Sequence, residues 1–168
     1  VLVPFGDVAD TLLEKFMAAA KEVRVGDGLN EQTGMGPVVS SAHKDRVLGY
    51  IEKGIEEGAN LILDGRDCQV EGYPDGYFVG PTIFDNVKPD MTICKEEIFG
   101  PVVSMVRAND FDEVRRSKVT RGFGNAACIY TQSGATAREF KYHAKPSMIG
   151  IYIGIAAPMS FFPFGGAG

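Results

Sequence analysis

The sequence predicts an α/β fold: a mostly parallel, twisted sheet flanked by helices. Two patterns predict it. Segments with helical apolar spacing alternate along the chain with short runs rich in β-branched residues. The runs "NLILDG", "PVVSMVRA", "NAACIYT" and "MIGIYIGI" are too short for helices, and Gly, Asp or Ser residues punctuate the text between them. With 168 residues, 45% hydrophobic and 23% charged, the chain can bury one sizeable core, so we read 1–168 as a single domain.

Each element has its own reason. "VLVPF" at residues 1–5 reads as the end of a strand. Gly6-Asp7 then offers a cap for a helix with Val8, Leu12, Phe16, Ala19 and Val23 at near-helical spacing. A polar, Gly-rich connection, "VGDGLNEQTGMGP", leads to Ser40 and Ser41, caps for a second helix with Val47, Ile51 and Ile55 on one stripe. Gly58 ends that helix, and "NLILDG" follows as a short buried strand. The turn-rich "GYPDGYFVGPTIFDNV" predicts hairpin or edge structure, and "PVVSMVRA" another strand. Asp110 opens a helix through Val114, with Gly122 and Gly124 at its exit. "NAACIYT" is then a strand, Ser133 to Ala144 a helix and "MIGIYIGI" a strand.

Composition excludes several function classes. The 17 basic and 22 acidic residues give a net charge of −5 with the basic ones scattered, so no patch attracts a phosphate backbone and nucleic acid is not the expected partner. Cys68, Cys94 and Cys128 are an odd, widely spaced set without C-x-x-C or a His at ligand spacing. That excludes a disulfide framework or structural zinc, fits a reducing compartment, and makes each cysteine a small buried hydrophobe. No basic, apolar leader with a cleavage site is visible. Residues 146–168 carry no charge and include G-x-x-x-G at Gly150–Gly154, which raises a membrane helix. Pro158, Pro163 and the alternating Ile149, Ile151, Ile153 and Ile155 favour instead a strand buried on both faces, so no membrane is expected.

Among short motifs, no G-x-G-x-x-G follows a strand, and neither a phosphate-loop lysine motif, a G-x-S-x-G elbow nor H-E-x-x-H occurs. His43 and His143 lie in predicted helices without a Cys or acidic partner at useful spacing, so both read as structural or solvated. "KEEIFGP", Lys95–Pro101, carries more chemistry. A carboxylate can accept hydrogen bonds from both hydroxyls of a ribose. An aromatic ring two residues on, in an extended segment, points along the same face. Glu97 and Phe99 are therefore a candidate nucleoside-binding pair; a surface acid pair beside a buried ring is the alternative.

"KEEIFGPVV" resembles the signature of the NAD-dependent aldehyde dehydrogenase superfamily, and the resemblance extends through "MGPVVS", "GYFVGPTIFDNVKPDMTICKEEIFGP", "IYTQSGATAREF" and "FFPFGG". "EGANLILDGRD", "GYFVGPTIFDNVKPDM" and "SGATAREF" are most similar to the CoA-acylating, methylmalonate-semialdehyde branch. The resemblance implies an aldehyde dehydrogenase catalytic-domain fold. It implies that Glu97 hydrogen-bonds the nicotinamide ribose, that Phe99 packs beside the nicotinamide, and that Gly100-Pro101 fixes the backbone carrying both. It also implies a cysteine thiolate attacking the aldehyde, hydride passing to NAD, and the acyl group, after loss of carbon dioxide, going to coenzyme A as propionyl-CoA.

In the family that cysteine lies shortly before the segment matching "VLVPFGDVAD", and none of Cys68, Cys94 or Cys128 matches it. The expectation is thus a partial catalytic domain with no catalytic or metal-ligating residue of its own. The N-terminal cofactor domain and the C-terminal oligomerisation strand are expected to be absent, and the isolated chain inactive. Tyr152 stands where the family usually has Asn, and Pro146-Ser147 where a Val-Gly pair is common. A homo-oligomer in the cytoplasm (the mitochondrial matrix in a eukaryote) is expected. The alternative is a non-catalytic nucleotide-binding or assembly module that kept the fold.

Overall fold

The structure, a computed structural model, describes residues 1–116, 125–154 and 160–161. The chain forms two compact units, Val1–Asp110 and Phe111–Gly168.

The first unit is built on a three-stranded sheet of β1 (Asn60–Leu63), β2 (Thr82–Asp85) and β3 (Val102–Ser104) in that order. β2 runs antiparallel to β1, with Asn60 opposite Asp85, and parallel to β3, with Thr82 opposite Val102. The segment predicted as hairpin or edge structure thus supplies the central strand, antiparallel to β1, and all four β2 residues are buried. "NLILDG", predicted buried, forms the exposed side of the sheet, where Ile62 is 36% accessible. The glycines after β1 and before β2, Gly65 and Gly80, serve a close backbone approach rather than an edge turn.

The N-terminal segment pairs as expected of a strand end. Leu2 and Phe5 bridge Met105 and Ala108 in parallel, and the Leu2 amide donates to the Ser104 carbonyl at 2.9 Å. Asp7, predicted as a cap, lies in a 3-10 turn, Gly6–Val8, and no side chain caps α1 (Ala9–Lys21). Val23 falls beyond α1; Leu12 and Phe16 are half-buried and Ala19 is exposed.

α2 (Ser41–Glu56) follows its local signals closely. The Ser40 hydroxyl accepts from the His43 amide at 3.2 Å, satisfying a donor that the first turn leaves unpaired. At the other end Gly58 has φ +88°; its amide donates to Ile55 and the Ala59 amide to Gly54, the paired bonds of a Schellman stop. Val47 and Ile51 are wholly buried, but the third buried position is Gly54, not the predicted Ile55. A Cβ at Gly54 would lie 2.9 Å from Ile93 and 3.0 Å from the Phe84 ring, so α2 rests directly on β2 there.

A short helix that the sequence did not announce, α3 (Thr92–Lys95), precedes the "EEIFGP" segment. Glu57, just past α2, caps it: the carboxylate accepts from the Thr92 amide at 2.6 Å and from the Thr92 hydroxyl at 2.5 Å. The Thr92 hydroxyl is the main reason this carboxyl is held below its ordinary range. Glu57→Ala is expected to cost about 1 kcal/mol, the usual worth of a cap, read as a lower urea midpoint.

The second unit contains α4 (Phe111–Arg116), β4 (Ala126–Ile129), α5 (Gly134–His143) and β5 (Met148–Ile151). β4 and β5 pair in parallel, Ala126 with Met148 through Ile129 with Ile151, with α5 as the crossover element. Ser133, the first residue of the helix predicted over Ser133 to Ala144, lies one residue before α5 and caps it by accepting from the Thr136 amide at 3.2 Å. β5 is not buried on both faces: Ile151 is 40% and Tyr152 59% accessible, and Tyr152, at φ +57°, ends the strand. Gly122, Gly124 and Ile155 lie outside the described residues. Among those residues no helix is long and apolar enough to cross a membrane.

Candidate cofactor site

"EEIFGP" leaves α3 in extended conformation, with Glu96 at φ −106° and ψ 148°. Ile98 turns inward at 7% exposure while Glu97 and Phe99 stay outside, Phe99 at 78%. Exposure alternates over Glu97–Phe99 only, Glu96 also being exposed, and the segment is not extended throughout. Phe99 sits at φ +57°, a left-handed conformation that costs a bulky residue about 1–3 kcal/mol. Packing next to it demands the turn. A Cβ on Gly100 would lie 2.7 Å from a Val47 methyl, so only glycine lets the chain pass this close to α2.

Glu97 and Phe99 line one open cleft of about 1230 Å³ together with Glu96, with Pro37, Val38 and Val39, and with His43 and Arg46 from α2. Sequence reasoning treated His43 as structural, and its role here is local: Nε2 lies 2.9 Å from the Phe99 carbonyl oxygen. Since a carbonyl only accepts, the ring nitrogen donates. The Arg46 guanidinium donates to the Glu97 carbonyl at 3.2 Å and lies over the Tyr50 ring at 5.3 Å. Tyr50 in turn donates to the Glu96 carboxylate at 2.6 Å.

The two adjacent acids therefore differ. Glu96 is occupied by Tyr50, whereas among the described residues no donor reaches the Glu97 carboxylate. A solvated carboxylate, free to accept, on one cleft with an exposed aromatic ring and apolar side chains can accept from paired hydroxyls and pack a flat ring. The α2 partners were visible beforehand only as a spacing: His43, Arg46 and Tyr50 fall at i, i+3 and i+7, one face of a helix.

Neither Cys68 nor Cys94 is activated by its surroundings. Burial pushes the Cys68 and Cys94 thiols above their ordinary range, which favours the inert protonated form. Cys94 is buried as predicted, while Cys68 and Cys128 are only half-buried. Among the described residues no three His, Cys, Asp or Glu side chains converge as metal ligands. His143 pairs with Glu139 one turn back on α5, at 3.3 Å, a helix-surface contact that the sequence reading did not identify.

The aldehyde dehydrogenase family model matches the chain over residues 1–168. The chain belongs to the aldehyde dehydrogenase family. It is 50% identical over 167 residues to malonate-semialdehyde dehydrogenase 1 of Geobacillus thermodenitrificans, covering 99% of this chain and 34% of that protein. It is 46% identical over 166 residues to the malonate-semialdehyde dehydrogenase of Halalkalibacterium halodurans, again with 99% and 34% coverage. A crystal structure assigned to methylmalonate-semialdehyde dehydrogenase from Sinorhizobium meliloti, complexed with NAD, superposes with a TM-score of 0.92 at 40% identity, covering 98% of this chain and 34% of that one. The methylmalonate-semialdehyde dehydrogenase of Oceanimonas doudoroffii gives 0.91 at 36% identity, with the same coverage. These likenesses bear out the α/β aldehyde dehydrogenase fold and the family resemblance of "KEEIFGP". The chain spans about a third of the length of these relatives, 34% in each of the two curated dehydrogenases.

Proposed function

We propose that this chain supplies the nicotinamide-ribose side of the cofactor cleft in an NAD-dependent aldehyde dehydrogenase. Glu97 accepts hydrogen bonds from the ribose hydroxyls, and Phe99 packs beside the nicotinamide. One observation carries the reading: the carboxylate and the ring are both exposed on one cleft, while the carbonyls of the same two residues are held by α2. When bound, NAD supplies the hydride acceptor for aldehyde oxidation.

The substrate we propose is methylmalonate semialdehyde, with coenzyme A taking the acyl group: the aldehyde acid, CoA and NAD yield propionyl-CoA, carbon dioxide and NADH. The names of the relatives support a small 3-oxo acid. Malonate semialdehyde differs from this substrate by one methyl, a difference worth only about 1–3 kcal/mol in a pocket. We place the nucleophilic thiolate outside residues 1–168, a reading supported by the burial that keeps Cys68 and Cys94 protonated. In this reading 1–168 is part of one catalytic domain that assembles as a cytoplasmic homo-oligomer. Exposed Tyr130, Tyr142 and Tyr152 are consistent with surface covered in such an assembly.

Calorimetric titration of NAD tests the site. Glu97→Gln and Phe99→Ala are each expected to weaken binding about tenfold, the worth of charge-assisted hydrogen bonds or an aromatic contact. Affinity unchanged in both variants would remove the assignment. Mixed with NAD, CoA and methylmalonate semialdehyde, the 168-residue chain is expected to form no NADH. Turnover would mean that one of its own cysteines attacks.

A further inference from the structure

We infer that the first three turns of α2 are a positioning platform for the cofactor-facing residues, with His43 and Arg46 as the positioning residues and Tyr50 as the donor to Glu96. The inference rests on the cofactor reading above for its functional meaning, but its geometry stands alone. Three donors on one helix stripe meet acceptors on three of the four residues of the "EEIF" segment. Tyr50 takes the Glu96 carboxylate at 2.6 Å, Arg46 the Glu97 carbonyl at 3.2 Å, and His43 the Phe99 carbonyl at 2.9 Å. Both main-chain carbonyls are pulled toward the helix, so the Glu97 and Phe99 side chains are left facing the cleft.

The platform has work to do because Phe99 is in the left-handed region, where a residue of its size stays only if its surroundings over-determine it. The contact of Gly100 with Val47 fixes one side of that turn, and the His43 bond fixes the carbonyl that the turn presents. Without His43 the Phe99 peptide can relax, and the ring no longer has one direction. Tyr50 has a separate consequence: of the two carboxylates on the cleft it gives Glu96 a donor, while among the described residues Glu97 keeps all its acceptor sites open.

The experiment uses the full chain, isotope-labelled, with His43→Leu, His43→Gln and Arg46→Met. Gln keeps a donor near the position of Nε2. Without ligand, the Phe99 carbonyl carbon resonance is expected to move upfield in His43→Leu and return in His43→Gln, and the Glu97 carbonyl to move in Arg46→Met. Resonances that stay in place in both deletion variants overturn the platform. NAD titration then reads its effect: His43→Leu is expected to weaken binding about fivefold, with recovery in His43→Gln. Glu97→Gln and Phe99→Ala are titrated in parallel. If these two weaken binding and His43→Leu does not, the platform is overturned while the cofactor site stands. If neither of these two weakens binding, the cofactor reading fails, and the carbonyl resonances still decide the platform.

Discussion

Gly65→Ala is expected to destabilise the first unit by about 3 kcal/mol or more, at the upper end of overpacking costs. Gly65 is buried between β1 and β2, and a Cβ there would lie 2.0 Å from the Gly80 carbonyl oxygen and 2.3 Å from its carbon. Those atoms are main chain, so no rotamer change relieves the contact. Moving them breaks the bond from the Gly80 amide to the Gly65 carbonyl, 2.8 Å, and the bond from the Gly65 amide to the Thr82 hydroxyl, 3.1 Å. Thr82 begins the central strand and is 1% exposed, so the disturbance enters the core directly. Gly28→Ala, in a loop where a Cβ meets nothing within 4 Å, is the control and should stay within about 0.5 kcal/mol. Equal urea midpoints for the two variants would refute this account.

Arg107→Leu is expected to cost about 3 kcal/mol by stranding a carboxylate. Asp85 ends β2 at 3% exposure, and Arg107 grips it with two nitrogens, Nε to Oδ1 at 2.9 Å and Nη2 to Oδ2 at 2.8 Å. The third nitrogen, Nη1, reaches Asp10 on α1 at 2.7 Å, so one side chain ties the central strand to the first helix. Burial pushes the Asp85 carboxyl up, but the Arg107 and Asn86 hydrogen bonds and the Arg107 charge together outweigh it, and the net shift is down. The folded value therefore lies below the ordinary 3.8, and the interaction contributes fully above that pH and is lost as pH falls through the folded value. In Arg107→Leu burial acts with much less opposition, the carboxyl rises, and protonation relieves the variant as pH falls. The stability gap between wild type and variant is thus expected to narrow as pH falls from the variant's raised value through the wild type's lowered one. A gap independent of pH in urea titrations would refute the assignment to Asp85.

Where a signal was local, the sequence was legible. Ser40, Gly58 and Ser133 bound their helices because capping hydrogen bonds reach only a few residues along the chain. The parallel pairing of β4 and β5 around α5 followed from a strand-helix-strand order that leaves a crossover as the economical connection. The order of the first sheet was not legible. Whether "TIFD" is central or at an edge depends on Leu61 and Val103, far away in sequence, arriving on its two sides. α3 was also missed, because a four-residue helix has too few positions to show a period, and its cap is Glu57, 35 residues upstream.

The candidate site divides in the same way. The residue types themselves, an acid and an aromatic ring two positions apart before Gly-Pro, determined what chemistry the segment could offer and marked the family. Which of Glu96 and Glu97 is free, and why Phe99 holds a left-handed turn, only the tertiary structure decided. The donors that settle both questions come from α2, 46 residues from Glu96 in the case of Tyr50 and 56 from Phe99 in the case of His43. Side-chain chemistry is carried by each residue wherever it lies, but direction is set by contacts, and these contacts exist only once the chain has folded back on itself.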